Sequence, residues 1–276
     1  MTVRAFRSRT EHVARVGSTN DVVRSWLAEG TDEVCVATAD EQTAGRGREG
    51  RAWLAPPGRA LLASLGFRPT WLAPAATWQL AASVALAMAE AAEEHAGLAA
   101  GSVWLKWPND LVLEGPPDEP VRKLAGVLGE TDGLGTADPR VVIGIGINVD
   151  WPRWDFPNAL VGTMTSLREH AGIDRPLDRD ALLELFLERL EARIGALRGG
   201  AFAGDAWRAR QVTTGRVLRL LWPDGVREDV LGLGVDVNSG GLVICDPEDA
   251  ADQRTIHVGE IHHVRLGSGR AVTAAV

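Results

Sequence analysis

Cysteine is nearly absent from this chain: Cys35 and Cys245 are the only two in 276 residues. They stand far apart and form no metal-ligand spacing, so a reduced, cytoplasmic setting is the simplest reading, with both thiols acting as small buried hydrophobes. A basic excess is missing as well. The formal net charge of -8 argues against nonspecific nucleic-acid binding. No secretion signal fits the N-terminus, because Arg4, Arg7, Arg9, Glu11 and Arg15 leave no apolar core between them. The longest uncharged run, residues 71–89, has the length of a membrane span. Pro74, Thr77, Gln79 and Ser83 interrupt it and alanine dominates, so a buried globular helix is expected. No Gly-x-Ser-x-Gly elbow appears, and no cysteine pairs with a histidine in a recognisable nucleophile context. His257, His262 and His263 lack cysteine or carboxylate companions at metal-ligand spacing, which leaves them a surface or barrel-core role. Internal repeats and low-complexity linkers are absent too.

What is present is ordinary for a globular protein: 45% apolar and 24% charged residues, in a length that suits one large domain or one domain with a small appendage. In residues 12–150, strand candidates at 34–37, 61–67, 103–106, 111–113, 124–128 and 141–149 alternate with glycine and proline punctuation around one helix at 75–95. Strands follow strands through short turns, so a mixed, mainly antiparallel sheet is expected rather than a doubly wound one. Leu182, Phe186, Leu190 and Ile194 then recur every four residues behind Asp178 or Asp180, predicting a helix that covers one face of the sheet. From about residue 212 the chain reads as strands again, at 217–221, 230–235, 242–245 and 255–264. Turns such as Asp224-Gly225 and Ser239-Gly240-Gly241 separate them, the spacing of a small β-barrel. The expected division is residues 1–211 and 212–276.

Local chemistry concentrates in the first stretch. In Gln42-Thr43-Ala44-Gly45-Arg46-Gly47-Arg48-Glu49-Gly50-Arg51, glycines let a backbone approach a ligand while three arginines converge on it, so an anion is the expected guest. Gly45, Gly47 and Gly50 match a dinucleotide fingerprint formally, but Pro56-Pro57 downstream cannot continue the helix that fingerprint must open. A solvated basic turn is the plainer alternative. Lys106-Trp107-Pro108-Asn109-Asp110 places a cation at a strand end and a carboxylate suited to magnesium, or simply an Asn-Asp turn. Arg122-Lys123-Leu124-Ala125-Gly126 sets a second lysine where a strand begins. In Gly144-Ile145-Gly146-Ile147-Asn148 two glycines share one face at the two-residue period, leaving a floor for a flat ring, with Asn148 offering a donor and an acceptor to a base edge. Ser18-Thr19-Asn20 precedes a helix-like segment at 22–28 and reads equally as an N-cap.

These segments, in this order, resemble the biotin protein ligase family, strongly over residues 16–170 and weakly on to Gly259-Glu260-Ile261. The resemblance implies an α+β fold: a class II synthetase-like biotin/lipoate ligase domain whose mixed, mainly antiparallel sheet is flanked by helices, followed by a small Src-homology-3-like β-barrel. It implies an enzyme that forms biotinyl-5'-AMP from biotin and ATP with magnesium, then biotinylates a lysine of a biotin carboxyl carrier protein. Ser18, Thr19, Asn20, Gln42, Gly45, Arg46, Gly47, Arg48, Lys123 and Gly126 would bind biotin. Arg48, Arg51, Trp53, Lys106, Asn109 and Asn148 would meet ATP, with Trp53 stacking on adenine. Asp110 would hold the metal, and Lys123, Arg48 and Lys106 would serve catalysis. Glu49 departs from the pattern, standing where relatives often carry a basic residue. The first motif at Ser18 leaves no room for the DNA-binding domain some members carry, so neither DNA nor a membrane is an expected partner. A sheet edge would serve a homodimer or acceptor docking. The rival readings are a lipoate or octanoate protein ligase, which lacks the arginine-glycine loop followed by Lys-Trp-Pro-Asn-Asp, and a biotin sensor without catalysis.

Overall fold

A computed structural model describes residues 6–115 and 120–270. Seven strands form the first sheet: β1 (Arg9–Val16), β2 (Cys35–Gln42), β3 (Ala60–Phe67), β4 (Val103–Lys106), β5 (Asp110–Leu113), β6 (Arg122–Asp132) and β7 (Arg140–Asn148). They lie in the order β1-β2-β3-β7-β6-β5-β4, with β1 parallel to β2 and every other neighbouring pair antiparallel. The sheet is therefore mixed and mainly antiparallel, as strand following strand requires. β1 was not foreseen. It is an edge strand, largely solvated on both faces, so its arginines and glutamate carry no apolar alternation to read.

Helices cover both faces. α1 (Thr19–Ala28) lies on β2, β3 and β7, burying Val23 and Leu27 against Cys35, Ala37 and Val142. On the opposite face, Ile143, Ile145 and Ile147 of β7 join the main core with α2 (Trp78–Ala96) and α4 (Arg179–Arg198). The predicted helix at 75–95 begins later, because Pro74–Ala76 forms a separate 3-10 turn. It stops at Gly97, whose φ of 65° is the left-handed cap that glycine supplies most easily. Of the two aspartates proposed to open α4, Asp178 does so: its carboxylate accepts from the amides of Asp180 and Ala181 at 2.9 and 3.1 Å. Two short helices, α3 (Leu167–Ala171) and α5 (Gly204–Ala209), have too few turns to leave a periodic trace. Among the described residues no helix is long and apolar enough to cross a membrane, and the run at 71–89 falls mainly in buried α2. Both cysteines are buried and free.

The second sheet contains β8 (Arg216–Leu221), β9 (Arg227–Val235), β10 (Leu242–Asp246), β11 (Asp249–Ile256) and β12 (His263–Arg270), antiparallel throughout in the order β11-β10-β9-β8-β12. One expectation needs correction here. The single strand read at 255–264 is the end of β11, a 3-10 turn at Val258–Glu260, and the start of β12. The turn closes because the Glu260 carboxylate accepts from the His257 amide at 2.6 Å. The sheet is seated on the first body through its turn at Gly240, whose carbonyl accepts from Trp107 Nε1 at 3.0 Å. A Cβ at Gly240 would come within 2.6 Å of the Trp78 ring, so the seat needs glycine.

Phe186 of α4 is fully buried in the main core. Phe186→Ala is expected to cost about 3–5 kcal/mol of unfolding free energy, read by urea denaturation; a loss below about 1 kcal/mol would contradict this packing.

Candidate functional site

The sheet face that carries α1 is bare beyond the helix's N-terminal end, because β7 presents Gly144 and Gly146 there and β6 presents Gly126 opposite Gly146. The resulting trough has a volume of about 1540 Å³ and runs from Ser18 and Gln42 at one end to Lys106 and the start of β12 at the other. Every residue proposed to bind biotin, nucleotide or metal except Gly45 lines it.

At the α1 end the polar groups are buried and mutually bonded. Gln42 Oε1 accepts from the Thr19 amide at 2.8 Å and from Thr19 Oγ1 at 3.0 Å. Asn20 Nδ2 donates to Glu130 Oε2 at 3.0 Å, and its Oδ1 lies 2.6 Å from Ser64 Oγ. Gly144 is glycine of necessity: the Asn20 side chain occupies the space a Cβ would take. Ser18 stands at the N-cap position of α1, but its side chain makes no capping bond. The N-cap reading holds for its position, while its hydroxyl is not committed to the helix. Ser64 and Glu130 were missed by sequence reasoning. Ser64 is the one hydroxyl in a strand otherwise buried and apolar, which is the trace that could have exposed it.

The glycine-arginine segment is a tight hairpin, closed by a Trp53 amide to Gly45 carbonyl bond of 2.9 Å. No helix follows it, which settles the dinucleotide question. Its three arginines do not converge on one point in this structure, because each has found its own acceptor. Arg46 makes a two-pronged pair with Asp21 at 2.6 and 2.9 Å. That bond raises the guanidinium's pKa and lowers the carboxylate's. Arg48 donates through Nη2 to the carbonyls of Val258 at 2.9 Å and Ile261 at 3.1 Å. Burial lowers its pKa. Arg51 Nη1 lies 3.3 Å from His263 Nδ1.

At the cationic end, Asp110 receives Lys123 Nζ at 2.6 Å and Lys106 Nζ at 3.8 Å on its two oxygens. Lys106 is the deeper of the two, and burial lowers its pKa. Asn109 Nδ2 donates to the Val127 carbonyl at 3.0 Å, fixing the turn before β5. The backbone of Lys123 is held on both sides, by the Thr163 carbonyl at 2.8 Å and the Thr165 amide at 2.9 Å. A flat ring does lie on the glycine floor, and it is Trp53: a Cβ at Gly146 would meet its indole at 2.6 Å. Asn148 gives its Nδ2 to the Thr165 carbonyl at 2.9 Å, while its Oδ1 is buried with no partner among the described residues. A buried acceptor without a donor costs free energy of about 1–3 kcal/mol, so it invites a ligand N–H.

The model of the biotin/lipoate A/B protein ligase family matches residues 13–148. The biotin--[acetyl-CoA-carboxylase] ligase of Mycobacterium tuberculosis is 34% identical over 258 residues, covering 92% of this chain and 88% of that ligase. This chain belongs to that family. Other members extend the comparison. The bifunctional ligase/repressor BirA of Escherichia coli is 30% identical over 236 residues, 84% of this chain and 68% of BirA. The biotin protein ligase of Aquifex aeolicus, solved with biotin and ATP, superposes with a TM-score of 0.74 at 26% identity, covering 94% of this chain and 99% of that one.

His263 links the trough to the second sheet, and its pKa is pushed down to about 4, first by burial and then by the nearby Lys106 and Arg51 charges. A histidine depressed in the fold binds fewer protons there than in the unfolded chain. Its contribution to stability is therefore intact above the unfolded value of 6.5 and is lost as pH falls toward about 4. Chemical unfolding at pH 7.5 and pH 5 is expected to show a smaller acid loss for His263→Gln than for the unsubstituted chain; equal losses would contradict it.

Proposed function

We propose that this chain is a biotin protein ligase: it drives the biotin carboxylate onto the α-phosphate of ATP, releasing pyrophosphate, and then passes the biotinyl group from the mixed anhydride to a lysine amine of a biotin carboxyl carrier protein, releasing AMP. One observation carries the reading. A single glycine-floored trough aligns the Thr19 and Gln42 amide-hydroxyl pocket, the Lys123–Asp110–Lys106 charge cluster and the unpartnered Asn148 oxygen. Those are the three needs of an acyl adenylate: a place for a polar ring, cations for a phosphate, and an acceptor for an amino purine.

The residue roles follow from that alignment. Ser18, Thr19, Asn20 and Gln42, with the backbone at Gly45, Arg46 and Gly47, take the ureido ring. Lys123, beside Gly126, leaves Asp110 for the biotin carboxylate and the phosphate joined to it. Lys106, Asn109, Arg48 and Arg51 border the triphosphate. Two anions must meet before a bond forms, and a unit-charge contact at about 4 Å offsets roughly 4 kcal/mol at an effective dielectric near 20. Several cations in one trough therefore suffice, and no protein nucleophile is needed. Trp53 has to leave the glycine floor, or tilt on it, to stack on adenine, whose amino group would satisfy Asn148 Oδ1.

The donor set suits magnesium only in part. Among the described residues no cluster of three metal-ligating side chains occurs. Asp110 is a lone carboxylate, which fits magnesium held mainly by phosphate oxygens and water. When bound, the ion would neutralise the departing pyrophosphate. We read residues 1–211 as the ligase domain and 212–276 as a Src-homology-3-like barrel, supported by five short antiparallel strands with shifts in register at Val243/Ile244 and Cys245/Asp246. A cytoplasmic location accords with two buried, unpaired thiols.

The direct test is incubation with biotin, magnesium ATP and a biotin-acceptor domain, followed by streptavidin detection. Biotinylated acceptor is expected; none, or octanoylated acceptor when octanoate is supplied instead, would contradict the assignment. Lys123→Ala is expected to lower adenylate formation by at least about a hundredfold, and near-normal formation would remove Lys123 from the chemistry. Arg48→Gly should release biotinyl-AMP faster, and an unchanged dissociation rate would count against its role.

A further inference from the structure

Within the glycine-arginine loop one residue has an unusual backbone. Among the described residues Glu49 is the one non-glycine position with positive φ, at 58°. Such a conformation persists where its surroundings hold it. Both carboxylate oxygens of Glu49 are held: Oε1 by Arg48 Nη2 at 3.3 Å and Oε2 by His262 Nδ1 at 3.0 Å. His262 belongs to the second sheet's edge, immediately before β12.

Arg48 is anchored from the same side. Its hydrogen bonds to Glu49, to the Val258 carbonyl and to the Ile261 carbonyl all leave from Nη2. Nε and Nη1 carry none of them, and Arg48 lines the trough. A guanidinium fixed through one nitrogen keeps its other donors for an anion and loses less freedom when the anion arrives. A lysine or arginine at position 49 could not pair with His262 and would repel Arg48 and Arg51.

We propose that Glu49 and His262 are a positioning pair for this ligase: their contact across the two sheets sets Arg48 against the adenylate and ties closure of the glycine-arginine loop to the C-terminal sheet. The inference rests on the biotin ligase reading. The His262–Glu49 contact is an ion pair when the imidazole is protonated. Neither residue touches the reacting atoms; both act through Arg48.

The test is release of preformed, radiolabelled biotinyl-AMP from the full chain under an unlabelled chase. Glu49→Ala and His262→Ala should each speed release about 2- to 5-fold, the effect of one lost, partly exposed ion pair. The double variant should release no faster than the quicker single, because both substitutions break one contact. His262→Lys, which keeps a cation opposite Glu49, should stay within about twofold of the unsubstituted chain. Thermal unfolding midpoints should not move. Unchanged release in both single variants, effects that multiply in the double, or release that quickens only as the midpoint falls would each overturn the pair. If the unsubstituted chain forms no adenylate, the ligase reading falls and takes this inference with it; if it forms and keeps the adenylate while the variants match it, the pair alone falls.

Discussion

The Asp110 carboxylate, lying between the ammonium groups of Lys123 and Lys106, is the interaction on which the site depends. Two lysines this close would repel each other and drive one toward neutrality if nothing negative stood between them. Asp110 lets both lie in the trough before any substrate arrives. The carboxylate sits at the start of β5, Lys106 ends β4 and Lys123 lies near the start of β6, so the antiparallel order of three neighbouring strands builds the cluster. An incoming phosphate then replaces one carboxylate contact with another anion rather than assembling cations from solvent. That is preorganisation in the electrostatic sense.

The glycine floor supplies the second constraint. Asn20 and Trp53 press against Gly144 and Gly146, so side chains at those positions would displace a binding residue or the indole that now covers the trough. The loop arginines show the same economy of charge. Each rests on an acceptor of the protein itself, Arg46 on Asp21, Arg48 on two carbonyls and Arg51 beside neutral His263. The charged groups of the trough thus rest on partners within the protein, and among the described residues the Asn148 oxygen and the Trp53 indole N–H are its buried polar atoms without one.

Much of this was legible in the sequence, for local reasons. The two-residue spacing of Gly144, Gly146 and Asn148 specifies one strand face, and a face without side chains is a property that no folding detail can undo. The four-residue recurrence through Leu182 to Ile194 likewise specifies a helix whatever its neighbours. What stayed hidden depends on distant partners. β1 carries no apolar rhythm because it lies at a solvated edge. Glu130 matters because β6 brings it beside Asn20, 110 positions away in sequence. The separation of the three arginines could not be read from the loop, since their partners lie on α1, in the segment before β12 and at the start of β12. The division of residues 255–264 into two strands turned on one side-chain-to-backbone bond from Glu260.

The central claim is that cations held around Asp110 join a carboxylate to the α-phosphate of ATP. Isotope exchange between labelled pyrophosphate and ATP reads that reversible step without any acceptor protein. The account predicts exchange that appears on adding biotin and disappears without it. Exchange that ignores biotin, or no exchange with biotin present, would contradict it.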